Sequence, residues 1–235
     1  LMMPIQNLRD PLNRVAMPAL SRLQNEPENY RNYYMKFVSI LAFISMPMVA
    51  FLFVCSDQII NIILGPQWGE ASILFKILAV AAFIQPVSTT WGLVLISTGR
   101  SRRYFKWGVV NSIVIVISFA IGVYWGAKGV AIGYVFATYL LLYPTLSYSF
   151  KGTPVRIKDF IIAVWKPIIA SIVIGVTCFF ILNIFKAYND LLLIVICFLS
   201  SSIIYPAALS VISGGLHDIR EYCHYGRLIF SNKYT

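Results

Sequence analysis

The chain has 235 residues, of which 59% are hydrophobic and 12% charged, with a mean hydropathy of +0.76. A soluble domain carries about 25% charged residues and keeps most of its skin polar, so a soluble enzyme, a disordered chain and a fibrous repeat are excluded. The net charge of +10 would suggest nucleic acid in a soluble protein. Here the cations fall between long apolar runs and read as topology, with no nucleic-acid partner.

The first stretch, Leu1–Leu23, is moderately apolar but carries Gln6, Arg9, Asp10, Asn13 and Arg14. On a helix these five fall within about 140° of arc, with Leu8, Leu12 and Val15 opposite. Such a stripe suits the wall of an aqueous cavity or a helix in the membrane interface, rather than a lipid-exposed span. The chain begins at Leu1 without a signal peptide, and the reading is a carboxyl portion entering partway along a span.

Six runs then follow that meet the ~20-residue requirement for crossing a bilayer. They are Phe37–Ser56, Ile73–Ser97, Trp107–Gly126, Gly129–Ser149, Ile162–Ile184 and Leu191–Ile212. None shows the period-2 alternation of a membrane barrel. Only helices satisfy their own backbone in lipid. The expected fold is therefore an all-α, multi-span transmembrane bundle of six full spans plus a partial or cavity-lining N-terminal helix.

Lys and Arg concentrate in alternate links: Arg22–Lys36, Arg100–Lys106, Lys151–Lys158 and the tail with Arg220, Arg227 and Lys233. The intervening links hold Asp57 and Glu70, then Lys128, then Lys186 and Asp190. The positive-inside rule places the first set, and the C-terminus, in the cytoplasm. Trp107 and Trp165 lie at inner ends and Trp68 and Trp125 at outer ends, where interfacial rings belong.

Four stretches carry a family resemblance through their order and spacing. These are Ala16-Met17-Pro18-Ala19-Leu20-Ser21-Arg22-Leu23 with Asn25-Glu26-Pro27-Glu28, then Leu64-Gly65-Pro66-Gln67-Trp68, Ser97-Thr98-Gly99-Arg100, and Gly126-Ala127-Lys128-Gly129-Val130-Ala131-Ile132-Gly133. Together they resemble the carboxyl half of the bacterial polysaccharide transporter family. These are Wzx-type flippases of lipid-linked oligosaccharides, here of the colanic-acid-exporter-like branch within the multidrug/oligosaccharidyl-lipid/polysaccharide exporter superfamily. The resemblance implies a protein about twice this length, in which two helical bundles face a cavity that opens alternately to each side of the inner membrane. It implies residues 1–150 as the end of the second bundle, 151–212 as an appended helix pair and 213–235 as a basic cytoplasmic tail. The implied partners are a polyprenyl-pyrophosphate-linked oligosaccharide, membrane lipids and the missing N-terminal half.

Such a substrate needs a cationic cavity for its head, and guanidinium groups match phosphate in a planar fork. Arg9 and Arg14 are the candidates, with Asp10, Gln6 and Asn13 beside them; an Asp10–Arg14 pair at i and i+4 is the structural alternative. Gln85-Pro86 interrupts its span and reads as a kink and hinge candidate, or a passive bend. Gly129 and Gly133 read as close helix packing, and Asn111 and Asn183 as hydrogen bonds between helices. Lys76 lies about one turn from a helix end and reads as snorkelling.

The cysteines Cys55, Cys178, Cys197 and Cys223 lack metal-ligand spacing and read as small apolar-tolerant side chains. His217, Cys223 and His224 give weak support for zinc. No cofactor, metal or catalytic set is expected, and the six runs contain no Asp or Glu. The sequence thus reads as a transporter without covalent chemistry. The alternatives are a drug or lipid-precursor exporter of the same superfamily and, further off, a membrane enzyme of polysaccharide assembly.

Overall fold

The computed structural model describes residues 2–185 and 188–213, with side chains from Leu12 onward. Among the described residues every regular element is a helix. In chain order these are α1 (Met2–Arg22), α2 (Pro27–Val54), α3 (Ser56–Ile63), α4 (Gly69–Ser88), α5 (Trp91–Ser97), α6 (Ser101–Gly122), α7 (Gly126–Phe150), α8 (Ile157–Ile184) and α9 (Asp190–Ser213). Internal prolines Pro47, Pro86, Pro144, Pro167 and Pro206 sit inside the long helices. Membrane helices tolerate them because neighbours re-satisfy the freed backbone groups.

The helices start earlier than the apolar runs. α2 begins at Pro27, ten residues before Phe37, because Pro at the first helical position costs no hydrogen bond. α8 begins at Ile157 because Asp159 closes a reciprocal cap, its Oδ2 accepting from the Arg156 amide at 2.8 Å.

Among the described residues five helical stretches are long and apolar enough to cross a membrane, against six runs in the sequence. The difference lies in Ser101–Phe150, a single 50-residue stretch that doubles back at Gly126, whose φ is +69°. α6 and α7 are its two arms. The chain is an all-α, multi-pass membrane protein.

α2 is the hub, packing on α8 and α4; α4 packs in turn on α7, α7 on α6, and α8 on α9. α1 lies against α5, α2 and α4. One core joins Leu12, Ala16 and Leu20 of α1 to Tyr30, Tyr34, Phe37, Leu41 and Met46 of α2. Val87, Val94, Phe150 and Phe160 complete it. A second cluster gathers Cys55, Ile174, Cys178, Cys197, Tyr205 and Leu209 where α2, α8 and α9 meet. Lipid tails are as apolar as leucine, so helices associate here through tight packing and hydrogen bonds between helices rather than through burial from water.

Candidate functional site

The buried side of α1 differs from the apolar side read in the sequence, for Val15, expected there, is only half-buried. Leu12, Ala16 and Leu20, at i, i+4 and i+8, are buried against the bundle, while Arg14 is exposed on the other side. Asn13 is half-buried, and its Oδ1 has no hydrogen-bond partner among the described residues. About 12 Å of helix axis separates Arg14 from Arg22 at the end of α1. Gln6, Arg9 and Asp10 lie on the same helix, with side chains outside the described residues.

Behind α1 stands a broken helix. The Ile73–Ser97 run divides into α4 and α5 at Thr89–Thr90, one turn after Pro86. Ser88 and Thr89 hydroxyls donate to the Gln85 carbonyl at 3.2 and 3.0 Å, and Thr90 donates to the Val87 carbonyl at 2.7 Å. The Thr89 and Thr90 amides reach the same two carbonyls, at 3.1 and 3.3 Å, so the hydroxyls add further bonds to each at the break. Gln85 donates to the Tyr134 hydroxyl of α7 at 2.8 Å, which ties the break to the next helix.

Two fully buried tyrosines of α2 hold the other side. Tyr34 bonds to Thr90 Oγ1 and Tyr30 to Ser97 Oγ, each at 2.7 Å. Thr90 and Ser97 already donate to carbonyls in their own helix, so the tyrosines are the donors. In the sequence, Tyr30 and Tyr34 fall in the polar link before Phe37 and read as loop. Their i, i+4 spacing after Pro27 was the available helical signal.

The basic links are built into the fold at one end of the bundle. Arg31 pairs with the fully buried carboxylate of Asp159, joining the start of α2 to the start of α8. Arg100 and Arg103 both donate to the Lys151 carbonyl, at 2.9 and 2.8 Å, and reach Gly152 and Tyr148 carbonyls as well. They cap the last turn of α7, where free carbonyls and the helix dipole favour cations. Trp107 stacks on Tyr148 at 4.7 Å and donates to Thr145 Oγ1 at 3.0 Å.

The opposite end carries acidic groups. Lys76 Nζ meets Asp57 Oδ2 at 2.6 Å, and Ser72 bonds the other carboxylate oxygen. Burial raises the Asp57 pKa, but the Lys76 and Ser72 hydrogen bonds and the Lys76 charge outweigh it and hold the carboxyl below its ordinary value. Lys76 is thus an ion-pair partner where the sequence suggested free snorkelling. Lys128 reaches Glu70 at 3.3 Å.

Other readings are refined in the same way. Asn111 and Asn183 donate to the carbonyls of Trp107 and Phe179, four residues back in their own helices, and not across helices. A Cβ on Gly129 would lie 2.3 Å from the Gly122 carbonyl oxygen, and one on Gly133 2.8 Å from that of Ser118. Cys55, Cys178 and Cys197 are free and buried, and no group of three metal-ligating side chains occurs among the described residues. The tail with His217, Cys223 and His224 lies outside them.

Residues 1–73 match the family described as "Polysaccharide biosynthesis protein". The chain is 25% identical over 173 residues to the lipopolysaccharide biosynthesis protein WzxC of Escherichia coli, covering 72% of this chain and 35% of that protein. It is 22% identical over 120 residues to the amylovoran biosynthesis protein AmsL of Erwinia amylovora, covering 51% of this chain and 31% of AmsL. With the teichuronic acid biosynthesis protein TuaB of Bacillus subtilis the identity is 26% over 104 residues, or 44% of this chain and 22% of TuaB. No solved structure matches the chain. The chain spans about a third of the length of the first two of these relatives, and with them the resemblance to the polysaccharide transporter family is borne out.

Proposed function

We propose that this chain is part of a transporter that moves a lipid-linked oligosaccharide across the bacterial inner membrane by alternating access, without covalent chemistry. The observation that carries the reading is α1. Its Leu12, Ala16 and Leu20 are packed into the core, and Arg14 is exposed on the opposite side of the helix. An ionisable group so placed faces water, substrate or protein, because exposure to lipid is costly. The relatives' names, all of polysaccharide biosynthesis, supply the substrate class.

On this reading residues 1–150 complete one wall of a cavity, whose other wall is the N-terminal half of the same protein. Residues 151–212 form the appended pair, and 213–235 the basic cytoplasmic tail. Arg9 and Arg14 attract the pyrophosphate head, Asp10 limits the local charge, and Gln6 and Asn13 hydrogen-bond to the glycan. The break after Gln85-Pro86 is the hinge, and the basic end with Arg31, Arg100 and Arg103 is cytoplasmic.

The test uses the full-length protein in a flippase-deficient strain, reading surface polysaccharide per molecule of protein in the membrane. Arg9→Ala and Arg14→Ala each lower export tenfold or more at near-normal abundance. Arg→Lys restores part of it, since an ammonium keeps the charge but loses the fork. Lower abundance with unchanged export per molecule assigns the arginines to structure and overturns the reading.

A further inference from the structure

A groove of about 630 Å³ runs between α2, α4, α7 and α8. α1 packs on α2, α4 and α5. The groove's walls are almost wholly hydrocarbon, with Val54 of α2, Val80 and Phe83 of α4, and Gly175 and Phe179 of α8 among them. Water does not stably fill such a space, and a void forfeits the dispersion contacts of its lining.

Three features define the occupant. The first is length. The groove follows one face of α8 from Ser171 to Phe180, about 13 Å of helix axis, which is close to half of a ~30 Å hydrocarbon core. The second is closure. Toward the Arg31 end, beyond the groove, α7 and α8 contribute buried core residues, Leu146, Phe150, Phe160, Ala163 and Val164. A chain of one leaflet's length fits, and a longer one meets the closed end.

The third feature is charge at the mouth. Lys76 shares a helix face with Val80 and Phe83, one turn nearer the Asp57 end. Its ammonium rests on Asp57, and both side chains remain partly exposed, at 37% and 53%. A cation and an anion side by side complement a headgroup that itself carries phosphate and ammonium.

We infer that the groove holds one acyl chain of a zwitterionic phospholipid from the Asp57-side leaflet, its phosphate on Lys76 and its ammonium on Asp57. The site is independent of the cargo and of the α1 stripe. Ser171, buried at the deep end without a hydrogen-bond partner among the described residues, meets only the chain's methyl end.

The full-length protein, stripped of lipid, is mixed with phosphatidylethanolamine, phosphatidylglycerol and a polyprenyl phosphate, and native mass spectrometry reads what each chain retains. The expected result is one phosphatidylethanolamine per chain under activation that removes loosely held lipid. Gly175→Leu grows into the groove, since a Cβ there meets nothing nearer than Val54 at 3.9 Å. It lowers retention fivefold or more, and Val80→Phe repeats the effect should Gly175→Leu unfold. Asp57→Asn shifts preference at least threefold toward phosphatidylglycerol, and Ser171→Ala changes nothing. Equal retention in wild type and both groove variants, no retained lipid, or a preference for polyprenyl phosphate overturns the inference. Loss of retention in Ser171→Ala overturns the proposed orientation of the chain.

Discussion

α2 and the α6–α7 hairpin are both apolar enough to cross a membrane. Their surroundings differ completely. Of their most apolar stretches, 44% of α2 is buried inside the protein and 6% of the hairpin. Hydropathy therefore reports that a helix enters a membrane and says nothing of what it touches there. The partner is reported by the hydrogen bonds that hydroxyl-bearing residues make. α2 presents Tyr30, Tyr34 and Ser45 to other helices or its own backbone, while the hairpin presents Phe105, Val116 and Tyr143 outward.

The largest expected effect sharpens that contrast with one residue type in two places. Tyr34 is fully buried and Tyr143 is 68% exposed. Tyr34→Ala leaves a cavity and an unpartnered Thr90 contact, and by analogy with buried aromatics costs about 3–5 kcal/mol. Tyr143→Ala stays within about 0.5 kcal/mol, as for surface positions. Thermal unfolding of the purified full-length protein compares them. Equal losses would mean that the hairpin face is covered by protein rather than lipid.

A smaller effect breaks the contrast, because the exposed hairpin has one seam that tolerates nothing. Gly122, Gly129 and Gly133 bring α6 and α7 backbones together, and the obstacles to any Cβ are backbone atoms that cannot rotate away. Gly129→Ala is expected to cost about 1–3 kcal/mol through overpacking. Val116→Ala, on the exposed face of the same hairpin, serves as its control. If Gly129→Ala behaves like Val116→Ala in thermal unfolding, the close approach at Gly122 is not maintained in the membrane.

The same logic explains what was legible in the sequence. Helix identity, membrane class and the tight Gly129–Gly133 spacing follow from local pattern, because lipid leaves no other backbone solution. The family resemblance also rested on local signals: Gly65, Gly99 and Gly126, one in each of three quoted motifs, all take positive φ at element junctions. In α1 the sequence set Leu8, Leu12 and Val15 opposite the polar residues, whereas packing buries Leu12, Ala16 and Leu20 and leaves Val15 half-buried. Long-range pairs were not legible. Arg31 and Asp159 are separated by 128 residues, and each alone reads as an ordinary interfacial charge. Short α3 was missed because its eight residues fall far short of a span and lie in the link that carries Asp57, whereas the break at Thr89–Thr90 comes one turn after the Gln85-Pro86 pair that the sequence marked as a kink.

The smallest expected effect separates the two ends of the bundle by pH. At the Asp57 end, the Lys76 and Ser72 contacts hold the carboxyl below its ordinary value despite partial burial. A carboxylate whose folded pKa lies below its unfolded value stabilises the fold above the unfolded value, near pH 4, and that contribution disappears as pH falls through the folded value. The pair is roughly half exposed, so its contribution belongs in the range of about 0–1 kcal/mol and shrinks with salt. Thermal unfolding of the full-length protein between pH 3 and 7 at low salt should show a small loss on the acid side. Asp57→Asn should remove that loss while already lying at the lower plateau at pH 7. The difference between wild type and Asp57→Asn should also collapse near 1 M salt, where the screening length is about 3 Å. An acid-side difference that survives 1 M salt would mean that Asp57 acts through its bond to Ser72 rather than through the charge of Lys76.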